Sequence, residues 1–565
     1  MFGLSAIDYL VIAAYLGGVT ALGAWMGRRV IGMNDFAMPR VFGKVMMIFF
    51  SFGTGTNTDH VVTVAAKSYT HGIAGIWYSW MAIFATPFYW IIGTAFRRLR
   101  AITTGDVFEA RFGRGMSVFY AFLGFTKLTF SIGVTLKGGG VMLTAISDGA
   151  IPGDAAIFVL TGLIVFYGVA GGLAAAVVTD FVQGLMTLAF SFILLPFVLV
   201  AVGGLAGVKN TLADPDKFNL FSSGEITWFF VAMLGVLNLL NVLGAPHTMG
   251  NCAAGKNETD GAVGFMAGSF LKRICTVAWA LVGLAAAAYL VGKDINPEET
   301  YGLMAREFLP EIGFGALGFF LASFMAGMMS TCDALMVSAS ALFTQNIYRP
   351  LRPGRPQSHY LIIVRIASVV IVGGAVTIAY LLPGFIAGVE IYWKLSSIIG
   401  LPLLLGLVWR GLTPAGAWST VICAYGAWWL TTLPGFVSFA AALPYAEALG
   451  LVPEARSGAL ALPWQILFYI ITGILAGIIV SRFSHPLSAD KLELFYALMR
   501  TPIQPGEVVE QACTLPDGVE PPPPRHLLPS TGIELQVPSR RTVVGFLSGC
   551  AAVVALIGFV SWLMV

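Results

Sequence analysis

The sequence has 565 residues, of which 57% are hydrophobic and 11% charged, with a formal net charge of +3. A soluble domain carries about 25% charged residues, so at a mean hydropathy of +0.83 this chain lacks the polar surface to be soluble. The near-neutral balance excludes a global nucleic-acid-binding field, and the scattered Cys252, Cys275, Cys332, Cys423, Cys513 and Cys550 form no CxxC pair, which excludes a disulfide framework or structural zinc.

The first apolar run, Ser5 to Met26, is followed rather than preceded by Arg28 and Arg29, so it reads as a retained helix with its N-terminus outside, not a signal peptide. By the criterion of about 20 apolar residues per crossing, about fourteen spans follow along the chain. They lie near 5–26, 44–66, 73–97, 117–146, 155–177, 179–203, 226–249, 262–291, 313–345, 360–382, 387–409, 414–432, 463–482 and 542–564. Basic residues test the count, because cytoplasmic loops collect Lys and Arg. Arg40 follows the first span, Arg97, Arg98, Arg100, Arg111 and Arg114 the third, and Arg349, Arg352 and Arg355 the ninth. The alternate loops hold Asp214, Asp216, Asp294, Glu298 and Glu299. Both termini are therefore expected outside.

Two spans carry breakers in their middles. The second contains Gly53-Thr54-Gly55-Thr56-Asn57-Thr58, and the seventh contains Gly244-Ala245-Pro246-His247-Thr248. Unpaired backbone at membrane depth is tolerated only beside protein or a water-filled cavity, and proline removes a donor. Interruptions five spans apart are what an inverted repeat of five-helix units predicts, with the binding site at the breaks. The ordinary alternative is two glycine-rich kinks packed between helices. The breaks carry Asp59, His60, Pro246 and His247 as candidate solute contacts, and Lys137 in the fourth span is a further one, since an intramembrane charge is functional by default. If Asp59 neutralises Lys137, the site suits a neutral or zwitterionic solute such as a sugar or amino acid; if not, a carboxylate. The neutral or zwitterionic case is favoured, because an unpaired lysine is costly in the empty carrier.

In the ninth span, Ser330 and Asp333 are three apart and share a helix face, with Thr331 adjacent. A hydroxyl alone would bond its own helix, but the combination with a carboxylate at bilayer depth points to a hard cation with oxygen ligands, such as sodium. Asp180 has two readings: an acidic ion-path residue, or the N-cap of the sixth helix.

The stretches Gly171-Gly172-Leu173…Thr179-Asp180…Gln183, Met329-Ser330-Thr331…Asp333…Ser338-Ala339-Ser340, Asn346-Ile347-Tyr348 and Thr103-Thr104-Gly105-Asp106-Val107-Phe108 carry a resemblance. The chain resembles the sodium:solute symporter family, which includes proline, pantothenate, sialic acid and glucose symporters. The resemblance implies a LeuT-type five-plus-five inverted-repeat core. It implies a main sodium site of the Ser330 and Thr331 hydroxyls with backbone carbonyls of Gly53, Thr56 and Gly327. It also implies a second sodium or an exit path at Asp180 and Asp333. Members with two serines in that second site differ from this chain, which has Asp333 and Ala334 there.

The expected protein is thus an all-α polytopic transporter of the cell membrane, not an enzyme. Its partners are sodium, a small solute and lipid. Its expected parts are an N-terminal helix and loop (1–43), two repeats (44–203 and 226–410), two additional helices (411–482), a cytoplasmic polar linker (483–541) and a last span (542–565). Proton coupling, or a non-transporting membrane sensor of the same fold, are the alternatives; a channel would need a continuous polar pore.

Overall fold

The computed structural model describes residues 4–565 apart from 29, 57, 148, 150–151, 222–225, 383–384, 453–457, 508, 510 and 529–531. The side chains at 58–59, 156, 160, 163, 166–167, 170 and 385–396 also lie outside the description. Among the described residues the chain is helical, and its β contacts are isolated bridges such as Phe42 with Gly255.

Among the described residues, eight helices are long and apolar enough to cross a bilayer, or ten when each of two bent pairs counts as one span, so the expected count of about fourteen is not confirmed. Helix breaks account for part of the difference. The second expected span is split into Lys44–Gly55 and Thr58–His71, and neither piece alone reaches about 20 residues. The third is divided by a 3₁₀ turn at Gly72–Ile76 ahead of Phe88–Arg98. The fifth and sixth are two helices that meet at a kink at Gly172 (φ 58°, ψ −156°), earlier than the expected boundary near 178. Only glycine suits Gly172, because a Cβ there would lie 2.7 Å from the Phe36 carbonyl oxygen.

Local chemistry sets the helix starts. Ser5 and Asp8 form a capping box before Ala6–Gly27, and Thr103 and Asp106 form another before Thr104–Phe112. Asn257 caps Glu258–Tyr289 by accepting from the Asp260 amide.

Small residues then decide which helices meet. Along Glu258–Tyr289, a Cβ at Gly264 would lie 2.3 Å from the Met47 Cβ, at Gly268 2.4 Å from the Ile48 carbonyl, and at Gly283 2.4 Å from the Ala65 carbonyl. This glycine seam presses one helix against both halves of the first broken span, as small-residue stripes do in membranes. Ala316–Leu342 is apolar nearly all round, and its most hydropathic window is wholly buried, as expected for the central helix of a bundle.

The polar stretch 483–541 packs more than a linker would. Ala489–Arg500 is a helix, and beyond it the chain is tied to the basic loops. Arg100 Nε meets Glu507 Oε1 at 2.6 Å with both side chains buried. Ile503 N donates to Glu258 Oε1 (2.8 Å), and Arg410 pairs with Glu493 and Glu534. Carboxylates of this segment thus answer the arginines of the loops.

Candidate functional site

The Lys44–Gly55 helix ends at Thr56 (φ −112°, ψ 69°), where Thr56 N still donates to Gly53 O at 3.2 Å. Thr331 Oγ1 donates to the same carbonyl at 3.2 Å. A Cβ on Gly53 would lie 2.3 Å from Ser330 Oγ and 3.4 Å from Asp180 Oδ2, so the missing side chain is what lets these groups converge. Asp180 is fully buried. Among the described residues, its two oxygens, the Ser330 hydroxyl and the Thr56 hydroxyl have no well-formed hydrogen bond, although Asp180 and Ser330 face one another. Buried polar groups are nearly always satisfied, so these oxygens have capacity left for a further partner. Gly327 lies one turn before Ser330 on the same buried helix.

Asp333 lies one turn beyond Ser330, close enough to Asp180 for their charges to interact. A Cβ on Gly168 would lie 2.5 Å from Asp333 Oδ1, so a second absent side chain admits the second carboxylate. Tyr15, from the N-terminal helix, closes the cluster. It accepts from Gln183 Nε2 (3.0 Å), bonds Met329 Sδ (3.7 Å), and is within electrostatic reach of both aspartates. Carboxylate, hydroxyl and carbonyl oxygens converging in this way suit a hard monovalent or divalent cation.

A cavity of about 120 Å³ lies between the two breaks. His60 and Gly55 line it from the first break, and His247 and Thr248 from the second, where Trp228–Gly244 and His247–Ala253 meet at 77°. Pro246 makes that bend rather than lining the cavity; its carbonyl accepts from Thr104 Oγ1 at 3.5 Å. The side chain of Asp59 lies outside the described residues.

Lys137 does not join the site. It is half-buried and absent from the cavity wall. The reason is helical geometry: Ser131, on the same helix, does line the cavity, and six residues further on the helix has turned by about 240°. A different lysine of that helix, Lys127, is buried beside the second break and donates to Asn241 Oδ1 at 3.1 Å.

Several wall residues were missed in the sequence. Lys272 and Arg273 come from the middle of Glu258–Tyr289, and Asn238, Asn241 and Asn251 from the second broken span. Two adjacent cations inside the expected 262–291 span were the available signal, since intramembrane charges mark function by default. Lys272 Nζ donates to the carbonyl of Gly55 at the first break and lies 3.2 Å from His60 Nε2. Trp77 and Trp80 do not wall the cavity; Trp80 Nε1 donates to the Arg273 carbonyl at 2.9 Å, fixing that backbone.

Two of the quoted sequence motifs meet at the end of the bundle carrying the basic loops. Asn346 Nδ2 donates to Asp106 Oδ1 (2.9 Å), and Thr103 Oγ1 donates to Asn346 Oδ1 (2.6 Å). The helix bearing Ser330 is thereby latched to the loop after the third expected span.

Residues 38–424 match the sodium:solute symporter family. The chain belongs to that family. The sodium/pantothenate symporter of Escherichia coli is 26% identical over 438 residues, covering 73% of this chain and 88% of that one. A high-affinity proline transporter of Bacillus subtilis is 26% identical over 339 residues, covering 57% and 69%. Among solved structures, a substrate-bound, outward-open Na⁺-coupled sialic acid symporter superposes with a TM-score of 0.70 at 17% identity, covering 86% of this chain and 99% of that one. At that identity the likeness speaks to fold, and the fold is of the LeuT type. The symporter is an integral membrane protein that couples solute transport to sodium.

Proposed function

We propose that the coupling sodium of this symporter binds between the first break and the Ser330 helix. Its ligands are the Ser330 and Thr331 hydroxyls with the carbonyls of Gly53, Thr56 and Gly327. Asp180 and Asp333 form the ion's exit path or a second sodium site. The solute binds in the cavity between the breaks, beside His60 and His247. Residues 44–203 and 226–410 act as the two inverted repeats, moving around this site to alternate its access.

One observation carries the reading: Ser330, Thr331 and Asp180 converge on Gly53, whose lack of a side chain makes the space. Ser330→Ala with Thr331→Ala is expected to raise the sodium concentration for half-maximal binding by about 10-fold or more, since each hydroxyl contributes a bond to a charged group. Measuring ²²Na⁺ binding to the purified double variant tests it. Wild-type sodium dependence in that variant would sink the proposal.

A further inference from the structure

The stretch 489–513 grips two parts of the molecule at once. The first part is the end of the Phe88–Arg98 helix with the start of Glu258–Tyr289. These are fastened to each other directly: Arg97 Nε donates to Gly255 O at 3.1 Å, and Arg98 pairs with Glu258 at 2.9 Å. The stretch holds this part through the buried Arg100–Glu507 pair and the Ile503 amide on Glu258. The second part is the Thr104–Phe112 helix with the chain at 406–410, joined where Arg111 Nε donates to Gly406 O at 2.9 Å. Here Tyr496 Oη also donates to Gly406 O (2.7 Å), its ring lies 5.1 Å from the Arg410 guanidinium, and Arg410 pairs with Glu493 at 2.5 Å. The chain passes from the first part to the second at a tight turn. Arg100 sits there in the left-handed region (φ 56°), and so does Cys513 (φ 57°), whose amide donates to the Arg100 carbonyl at 3.4 Å. Side-chain-bearing residues hold that conformation only where their surroundings over-determine it. The stretch therefore closes over the turn that joins the two parts.

The two grips are unequal. The side chains of Arg100 and Glu507 are 0% and 3% exposed, so separating them strands a buried charge. Those of Arg410 and Glu493 are 36% and 49% exposed, and ion pairs of that kind are weak. Arg410 also keeps Glu534 when Glu493 leaves. The outer grip, on Gly406 and Arg410, is thus the one that releases first. Alternating access moves parts of a carrier past one another at the end that opens, and the arginine-rich loops mark this end as the cytoplasmic one. We infer that residues 489–513 are a clasp: they hold the cytoplasmic end closed, and the site opens to the cytoplasm when their outer grip lets go. The inference rests on the proposed movement of the repeats around the site, and it holds for any solute.

Hydrogen exchange of the full-length purified symporter, read peptide by peptide in sodium chloride and in potassium chloride, tests it. The reporters are 172–183 and 333–342, which carry Asp180 and Asp333 of the proposed ion path. One variant frees the outer grip (Tyr496→Phe with Glu493→Gln), another the inner one (Glu507→Gln). A cooperative thermal transition in each serves as the check on folding. Losing a hydrogen bond and an ion pair shifts an opening equilibrium by about 3- to 30-fold, and exchange through local opening follows that equilibrium. Both variants are expected to raise exchange in the reporters by about that factor, because a clasp fails when either end is freed. A stretch that merely covers the surface would lose its own protection and nothing else. Reporters that stay at wild-type exchange in either variant therefore overturn the inference, even where 489–513 itself loosens. Reporters that loosen in both variants, while sodium leaves wild-type exchange at 53–56 and 327–331 unchanged, would overturn the proposed sodium site and leave this inference standing.

Discussion

Gly53→Ala adds a single methyl at the point where the proposed ion ligands meet. Its Cβ would sit 2.3 Å from Ser330 Oγ, against a roughly 3.5 Å optimum for unbonded heavy atoms. The overlap exceeds an ångström, and Ser330 relieves it by swinging its hydroxyl away or by pushing the two helices apart. Overpacking of this kind costs about 1–3 kcal/mol in stability. The loss specific to function is one hydroxyl bond to a charged ligand, about 1.5–3 kcal/mol. At 1.4 kcal/mol per tenfold, sodium half-saturation is expected to rise about 10- to 150-fold. The assay is ²²Na⁺ binding to purified protein, paired with sodium-dependent thermal stabilisation. Gly55→Ala is the control, because a Cβ there meets nothing within 4 Å among the described residues. In an Ser330→Ala background the clash partner is gone, so Gly53→Ala is expected to add much less than it does alone, the non-additivity of residues in contact. Unchanged sodium affinity in Gly53→Ala, with affinity lost in Ser330→Ala, would refute the geometry. Fully additive losses would refute the contact between the two.

Lys137→Met is expected to leave solute and sodium half-saturation at wild-type values in uptake by proteoliposomes, because Lys137 lies off the cavity wall. Glu507→Gln leaves buried Arg100 without its carboxylate, at a cost below the roughly 3–5 kcal/mol of a fully broken buried pair because Arg100 keeps carbonyl acceptors at Arg98, Thr501 and Pro502. Faster limited proteolysis within 483–541 checks it. The same pair sets a pH dependence: burial works against the Glu507 carboxylate, but the bonds from Arg100 and the Gln504 amide outweigh it and hold its pKa below the ordinary glutamate value. A depressed carboxylate stabilises fully above the unfolded value, about 4.3, and that contribution is lost as pH falls through the folded one. Protease sensitivity of the segment is therefore expected to rise as pH falls below about 4 in wild type, and to rise less steeply there in Glu507→Gln, where the Glu493 pairs with Arg410 and Arg500 still titrate.

Membrane character, the two breaks and the Ser330 helix were legible because each leaves a one-dimensional mark. Apolar length marks a span, Gly53-Thr54-Gly55 and Pro246 mark the interruptions, and Ser330, Thr331 and Asp333 share a helical period. The span boundaries were less legible because hydropathy does not place the turn at Gly172 or the 3₁₀ interruption at Gly72–Ile76. Asp180 had an equally good local explanation as an N-cap; only the approach of Gly53 from another helix decides its surroundings. Lys137 and Lys127 looked alike as lysines in one apolar helix, and which of them faces the second break depends on rotation about an axis that only packing fixes. Lys272 and Arg273 did leave a mark, two adjacent cations inside an expected span, but that they face the first break is fixed only by packing.

In the proposed reading, ion and solute meet on one short piece of backbone, and this gives coupling a physical route. Gly53 O lies in the sodium site through Thr331, while two residues later Gly55 O accepts from Lys272 in the solute wall. Both carbonyls belong to the end of the Lys44–Gly55 helix, where intrahelical partners run out and the carbonyls are available to other groups. A cation drawn to Gly53 O orients that end of the helix, and the same orientation decides where Gly55 O holds Lys272. Lys272 itself lines the cavity, so its position bears on the proposed solute wall. Binding at either site thus biases the conformation of the other, and the bias must be reciprocal in free energy. The glycine seam of Glu258–Tyr289 makes this transmission direct, because Gly264 and Gly268 hold that helix against the Met47 and Ile48 turn, leaving little room for one to shift without the other.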